Sequence, residues 1–498
     1  MQAKRIGLFL GPLLYFFIRS FFYPEGLSPA ANGILASTVW IAIWWITEAI
    51  PIAATALLPI ILFPLSGSLT IAETTSAFGH KFVFLYLGGF IIAIAIEKWQ
   101  LHKRIALNII NLIGSNIKKI ILGFMIATAF LSMWISNTAT SVMMLPIGMA
   151  IVNQLKDNPK TIKNEHTNFG KALMLAIAYS ASIGGIATLI GTPPNLVLAG
   201  VVAETYNYEI TFSQWFIFGF PIAMVLLFIC FKYLTTVAFK FTQNEFPGGK
   251  TEIKSQLKKL GKMTFEEKLV SLVFAATAFC WITRSFLLQQ ILPKLDDTII
   301  AISFALILFL MPTKSKNQKL LSWKDAKNLP WGIILLFGGG MALAKGFETS
   351  GLAQWLGNTI TGFIGLNTFI LILVIVAAVN FLTEITSNLA TTAMLLPVLA
   401  PMALSIDLHP FILMVSATVA ASCAFMLPVA TPPNAVVFGS GYLKIPDMVK
   451  KGFILNVISI IIITIFIYFI LPEAWVIAIE GFPEHLKQLS FDSNYNAL

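Results

Sequence analysis

The sequence predicts an all-α polytopic membrane protein of about eleven transmembrane helices plus two re-entrant hairpins, set in two inverted repeats. Three observations lead there. Hydrophobic residues fill 57% of the 498 positions and charged residues 11%, roughly half the charged fraction of a soluble globular chain. Lysine and arginine gather in short loops between apolar runs. A polar hairpin motif and a Thr-Pro-Pro-Asn motif each occur twice, at spacings of 251 and 239 residues.

Apolar runs recur between Ile6 and Ile470, each of about twenty residues and so able to cross a hydrocarbon core about 30 Å thick. The net charge of +10 reads as membrane topology and not as a nucleic-acid face, because the basic residues sit in the loops. Cys230, Cys280 and Cys423 lie in apolar stretches without metal-ligand or redox spacing and read as packing residues. The first run, 6–22, follows Lys4 and Arg5 but lacks a small-residue cleavage site, so it reads as a retained span.

The basic loops then order the elements, since Lys and Arg are retained on the cytoplasmic face. Lys4 and Arg5 place the N-terminus inside. Spans at 6–22, 31–49, 52–67 and 81–97 return the chain to the cytoplasm at Lys98, Lys103, Arg104, Lys118 and Lys119. The block 120–153 has basic loops on both sides, the second carrying Lys156, Lys160 and Lys163. Two full crossings need about forty residues, so a re-entrant hairpin with its turn near Ser136 is predicted. A broken helix at 172–204, a span at 213–239 and the basic stretch from Lys240 to Lys262 follow. Spans at 266–290, 297–312 and 331–349 come next, with Lys314, Lys316 and Lys319 between the last two. A second hairpin, 367–404, opens from outside. A second broken helix, 409–442, and a last span, 453–471, leave the C-terminus outside. The organisation is an N-terminal span (1–30), a first repeat (31–262), a second repeat (263–472) and a C-terminal tail (473–498).

The repeats are visible residue by residue. Residues 130–146 align without a gap on 381–397, nine of seventeen positions being identical, Ser136-Asn137 and Ser387-Asn388 among them. Gly191-Thr192-Pro193-Pro194-Asn195 matches Ala430-Thr431-Pro432-Pro433-Asn434, and Leu87-Gly88-Gly89 matches Phe337-Gly338-Gly339. The first copy opens to the cytoplasm and the second to the exterior. Inverted repeats with interrupted helices are an architecture of secondary transporters, whose sites lie near the bilayer midplane.

Paired prolines remove backbone donors and break a helix, and unwound backbone at membrane depth is tolerated only inside protein or beside a wet cavity. Freed carbonyls and the oxygens of Asn, Ser and Thr suit a small hard cation such as sodium, while helix N-termini suit an anion. The hairpin tips and breaks hold no Lys or Arg, so a multivalent anion there would need bound cations to offset its charge. Glu48 and Glu384 are intramembrane carboxylates, which mark functional sites by default or else serve as structural hydrogen-bond partners. Gly88-Gly89 and Gly338-Gly339-Gly340 read as close-packing positions. No nucleophile and base pair or His/Asp metal set falls at shared depth, which disfavours a membrane hydrolase.

With Trp45-Ile46-Thr47-Glu48-Ala49-Ile50-Pro51, the doubled motifs resemble the divalent anion/sodium symporter family of di- and tricarboxylate transporters over nearly the whole chain. The resemblance implies a homodimer in the lipid bilayer, in a bacterial inner membrane, moving its cargo by an elevator-type displacement. It implies a first sodium site at Ser132, Ser136, Asn137 and Gly191 and a second at Thr383, Thr386, Asn388 and Ala430. The substrate would meet Ser136, Asn137 and Thr138 from one hairpin and Ser387, Asn388 and Leu389 from the other, with Thr192, Pro193, Thr431 and Pro432 close by. Dicarboxylate-selective members typically repeat Ser-Asn-Thr, whereas the third residue of the second copy here is Leu389. The expected cargo is sodium with a C4-dicarboxylate such as succinate, malate or fumarate; sodium-coupled citrate or sulfate transport and sodium-independent dicarboxylate exchange are the alternatives.

Overall fold

The computed structural model describes residues 2–114, 116–157, 165–241, 249–314, 318–359 and 365–486. Lys160 and Lys163 of the second basic loop, Lys316, part of the stretch 240–262 and the end of the C-terminal tail lie outside the described residues. Regular structure among the described residues is helical, apart from isolated bridges between Pro312 and Lys319 and between Leu408 and Glu480.

Among the described residues, eight helical stretches, from Pro29–Thr47 to Ile445–Trp475, are long and apolar enough to cross a membrane. Three of them lengthen through π-turns, at Tyr233–Ala238, Arg284–Leu288 and Phe466–Ile470. Two expected spans are shorter than their apolar runs. Residues 52–67 fold as Ile52–Thr55 and Leu58–Leu65, because Pro59 has no N–H with which to continue the first helix. Residues 297–312 yield the fourteen-residue helix Asp297–Leu310, about 21 Å long. It ends because Met311, ahead of Pro312, is forced into extended backbone.

Both helix–turn–helix units form where the polar motifs occur. The first comprises Ile117–Ser132 and Asn137–Asp157 around a tip at 133–136, the second Thr368–Thr383 and Asn388–Ser405 around a tip at 384–387. Each begins on an asparagine cap: Asn116 accepts from the Lys119 N–H, and Asn367 from those of Phe369 and Ile370. Helix starts at Leu101, Ile117 and Asn137 recur 251 residues later at Leu352, Thr368 and Asn388. Just ahead of the first of these starts, Gln100 (φ 56°) and Gly351 (φ 78°) take left-handed backbone, also 251 residues apart.

The Thr-Pro-Pro-Asn motifs break their helices as expected. Glu165–Ile186 stops before a non-helical stretch and Pro193–Tyr206 starts after it; Pro410–Ala421 and Pro432–Phe438 flank the second break. Thr192 and Thr431 are extended at φ −141° and −140°, leaving the prolines in the first turn, where a missing N–H costs least. Helix Glu165–Ile186 is buried along almost its whole length. It lies against Ile117–Ser132 so closely that a Cβ on Gly184 would stand 2.4 Å from the Ala129 carbonyl oxygen. Gly88 packs on Ala301 in the same manner, a Cβ there meeting the Ala301 carbonyl carbon at 2.8 Å.

Candidate functional site

Behind each tip a hydroxyl, an amide and a carbonyl converge. Ser132, fully buried, places its Oγ 2.5 Å from the Asn137 amide and 2.7 Å from the Ala181 carbonyl oxygen. Thr383, equally buried, places its Oγ1 2.7 Å from Asn388 Oδ1 and 3.1 Å from the Ala421 carbonyl oxygen. The inward atom of the Asn137 amide also lies 3.2 Å from Ala181 O and 3.3 Å from Gly191 O. With nitrogen inward, Asn137 donates to these oxygens. With oxygen inward, the side chain faces acceptors, an arrangement that a small cation stabilises.

The breaks are held by their asparagines. Asn195 Nδ2 donates to the carbonyls of Thr188 (2.8 Å) and Gly185 (3.3 Å), and Asn434 Nδ2 to those of Leu427 (3.0 Å) and Ala424 (3.2 Å). These carbonyls lie seven and ten residues earlier in both halves and would otherwise be orphaned by the break.

Each tip is also fastened to its break. In the first half the Thr188 hydroxyl donates to the Met133 carbonyl at 2.5 Å. In the second, Glu384 accepts from the backbone N–H groups of Phe425 (2.7 Å), Met426 (2.9 Å) and Leu427 (3.0 Å), and from Asn456 Nδ2 (2.7 Å). Glu384 is thus a structural acceptor at the second break. Met133 and Glu384 occupy equivalent positions, as do Thr188 and Leu427.

Both tips and both breaks line one cavity of ≈ 570 Å³. Ser136, Asn137 and Thr138, Gly191, Thr192 and Pro193, Ser387, Asn388 and Leu389, and Ala430, Thr431 and Pro432 all border it. Four helix starts therefore meet there, at Asn137, Pro193, Asn388 and Pro432. The first amides of a helix have no intrahelical acceptor. The prolines supply none, so the free N–H groups come from the two tips, where Leu389 offers its backbone although its side chain is apolar. Ser136 Oγ accepts from the Ala139 N–H at 3.2 Å and still has a proton to give. Thr386 borders the cavity, but its hydroxyl donates to Leu382 O or meets Thr391 Oγ1 at 2.6 Å, facing its own helical unit. None of the described residues lining the cavity is Lys or Arg.

The opposite wall is made by Glu48, Ile52, Tyr86, Ile333 and Leu336. Glu48 ends helix Pro29–Thr47 in left-handed backbone and forms an exposed ion pair with Lys4 at 3.1 Å. Sequence reasoning missed Tyr86, Ile333 and Leu336, which carry no motif and lie within the apolar stretches of helices Lys81–Lys98 and Trp331–Thr349. The carbonyls of Ala181 and Ala421 were missed too, since a backbone oxygen leaves no trace in residue identity.

The family model described as the transmembrane region of sodium:sulfate symporters matches residues 4–475. The chain belongs to the sodium:sulfate symporter family. It is an integral membrane transporter and not an enzyme. The sodium-dependent dicarboxylate transporter SdcS of Staphylococcus aureus (strain USA300) is 49% identical over 476 residues, covering 94% of this chain and 92% of that one. The protein of the same name from Staphylococcus saprophyticus is 48% identical over 477 residues, with the same shares covered. Among solved structures, MtrF of Neisseria gonorrhoeae aligns at TM-score 0.57 with 12% identity, over 94% of this chain and all of that one. YdaH of Alcanivorax borkumensis aligns at 0.58 with 13% identity, over 87% and 97%. At such identities these two likenesses speak for the symporter's fold alone.

Proposed function

We propose that this symporter couples sodium ions to the uptake of a C4-dicarboxylate such as succinate, malate or fumarate. The observation that carries the reading is the convergence of four helix starts, flanked by two hydroxyl–amide–carbonyl clusters, on one cavity without Lys or Arg. The relatives named for sodium-dependent dicarboxylate transport support it.

Sodium, as cargo, would be held by Ser132, Asn137 and the carbonyls of Ala181 and Gly191 on one side. On the other it would be held by Thr383, Asn388 and the carbonyls of Ala421 and Ala430. Ser136 and Thr386 complete the two sets through backbone or hydroxyl oxygens. The dianion would accept from the hydroxyls of Ser136, Thr138 and Ser387 and from the tip amides at Asn137, Thr138, Asn388 and Leu389. Thr192, Pro193, Thr431 and Pro432 would close the sides and direct two further positive helix ends at it. A buried dianion without counter-charge is costly; two sodium ions beside it cancel that charge, so anion and cations stabilise one another's binding.

An elevator-type displacement fits the division of the walls. The tips are tied to the breaks by Glu384 and by Thr188, so one wall is a single hydrogen-bonded body. The wall of Glu48, Tyr86, Ile333 and Leu336 faces it across the cavity. The recurrent 251-residue spacing supports two repeats, 31–262 and 263–472, and the basic loops support their inversion, with the N-terminus cytoplasmic and the C-terminus outside. A homodimer in the inner membrane of a bacterium completes the reading.

Uptake of labelled succinate into proteoliposomes, with and without an inward sodium gradient, tests the coupling. Succinate accumulation that needs the gradient is expected; accumulation indifferent to sodium would replace symport by exchange. Leu389 favours a second reading, transport of citrate or sulfate, and labelled citrate and sulfate in the same assay decide it.

A further inference from the structure

A second cavity of ≈ 810 Å³ shares no lining residue with the anion cavity, although Ile135, Ala139 and Thr140 on its lining flank the first tip. It opens where the end of helix Lys81–Lys98, the short helix Leu101–Ile113 and helix Gly249–Leu260 meet helix Asn137–Asp157. Leu107, Val142, Met143 and Ile147 make an apolar wall, and Lys103 and Lys259 stand on its lining. Lys98 also borders the cleft but is paired with Asp325 at 2.8 Å. Among the described residues neither Lys103 nor Lys259 has an ion-pair partner. One carboxylate, Glu97, shares the cleft with them. Thr140, 1% exposed, borders it with a hydroxyl that has no hydrogen-bond partner. The equivalent Thr391 meets Thr386 Oγ1 at 2.6 Å, where the first tip has Ile135.

We propose that this cleft binds an anionic phospholipid, its phosphate held between Lys103 and Lys259 and an acyl chain laid along Leu107, Val142 and Met143. A small soluble anion would gain from the lysines but nothing from the apolar wall; an uncharged lipid would gain from the wall alone. An anionic lipid uses both, and a basic site at a membrane surface attracts such headgroups. Retention of lysines on one membrane face explains their sign, but not two lysines without an ion pair beside an apolar wall. The corresponding place in the second half makes the contrast. There Glu348, Gln354 and Pro397, equivalent to Glu97, Lys103 and Pro146, border a gap of only ≈ 80 Å³. The inference rests on the proposed topology, which sets the cleft at the cytoplasmic surface of the membrane and so its lipid in the cytoplasmic leaflet.

The test uses the full chain purified in a neutral detergent, titrated separately with phosphatidylglycerol, phosphatidylcholine and inorganic phosphate, with thermal unfolding and native mass spectrometry as readouts. Phosphatidylglycerol is expected to raise the unfolding temperature and to remain bound, and the other two to do neither. The double variant Lys103→Gln/Lys259→Gln should weaken phosphatidylglycerol binding by about tenfold or more. Val142→Trp, which fills the cleft and leaves both lysines in place, should weaken it as well. Undiminished binding in both variants would overturn the site. Equal stabilisation by inorganic phosphate would overturn the lipid in favour of a soluble anion. Neither readout depends on transport, so failure here is separate from failure of the symport reading.

Discussion

Ser132 and Thr383 stand 251 residues apart and make the same two contacts, each with the asparagine five residues ahead and with a carbonyl of the neighbouring broken helix, Ala181 or Ala421. A serine and a threonine are interchangeable in this role because only the hydroxyl takes part. The asparagines are the shared element, and they lead to the first prediction.

Asn137→Ala and Asn388→Ala should each raise the sodium concentration for half-maximal uptake by about tenfold, the loss of a ligand worth roughly 1.4 kcal/mol, or abolish transport. Initial rates against external sodium, at matched expression, measure this. Unchanged sodium dependence in both variants would remove the paired clusters from the coupling scheme.

Leu389→Thr restores a second Ser-Asn-Thr. Because Leu389 already offers its backbone amide, the change adds one side-chain hydroxyl in exchange for part of a buried apolar side chain. The succinate-to-citrate ratio of transport efficiencies should rise by about tenfold if that hydroxyl contributes roughly 1.4 kcal/mol. A ratio that stays the same in an active variant places selectivity elsewhere in the cavity.

Tyr86 is 3% exposed, yet its hydroxyl makes no hydrogen bond among the described residues and its side chain borders the cavity between the two tips. Tyr86→Phe should raise the half-saturating substrate concentration by about three- to tenfold, the range of one hydrogen bond of ~0.5–1.5 kcal/mol. Sodium dependence measured at saturating substrate should not change, since coupled ligands shift one another's apparent affinity only below saturation. A shift in sodium affinity instead would mean that the phenol supports the clusters and not the anion.

Glu384→Ala leaves three donors, the N–H groups of Met426 and Leu427 and Asn456 Nδ2, without an acceptor, while the Phe425 N–H keeps Asn456 Oδ1 at 3.2 Å, and it should cost about 3–5 kcal/mol, at roughly 1–3 kcal/mol for each orphaned donor. Thermal unfolding in detergent reads this directly, and Glu384→Gln, which keeps one acceptor oxygen, should fall between the two. A stable, fully active Ala variant would show that the second break keeps its shape without this carboxylate.

Most of this was legible in residue identity. Ser136-Asn137 and Ser387-Asn388 identify the tips because polar pairs in apolar segments are conspicuous, and Pro193 and Pro432 identify the breaks because proline dictates its own backbone. Glu384 was visible as a carboxylate but not as an acceptor for Phe425, Met426 and Leu427, since those donors are backbone groups some forty residues away. The wall of Tyr86, Ile333 and Leu336 left no pattern, because a side chain facing a cavity and one facing the core share the same helical period. The expected spans at 52–67 and 297–312 were overdrawn, because hydropathy counts apolar residues regardless of where proline stops the helix.

Asn195 and Asn434 change what the proline breaks are mechanically. Each lashes its unwound stretch to carbonyls seven and ten residues back, so the break behaves as a rigid elbow that passes a push straight through from one half-helix to the other. The prolines are then not joints. Under the proposed displacement the chain would bend elsewhere, and Gln100 and Gly351, which take left-handed backbone at equivalent places just ahead of Leu101 and Leu352, are the matched positions where it would do so.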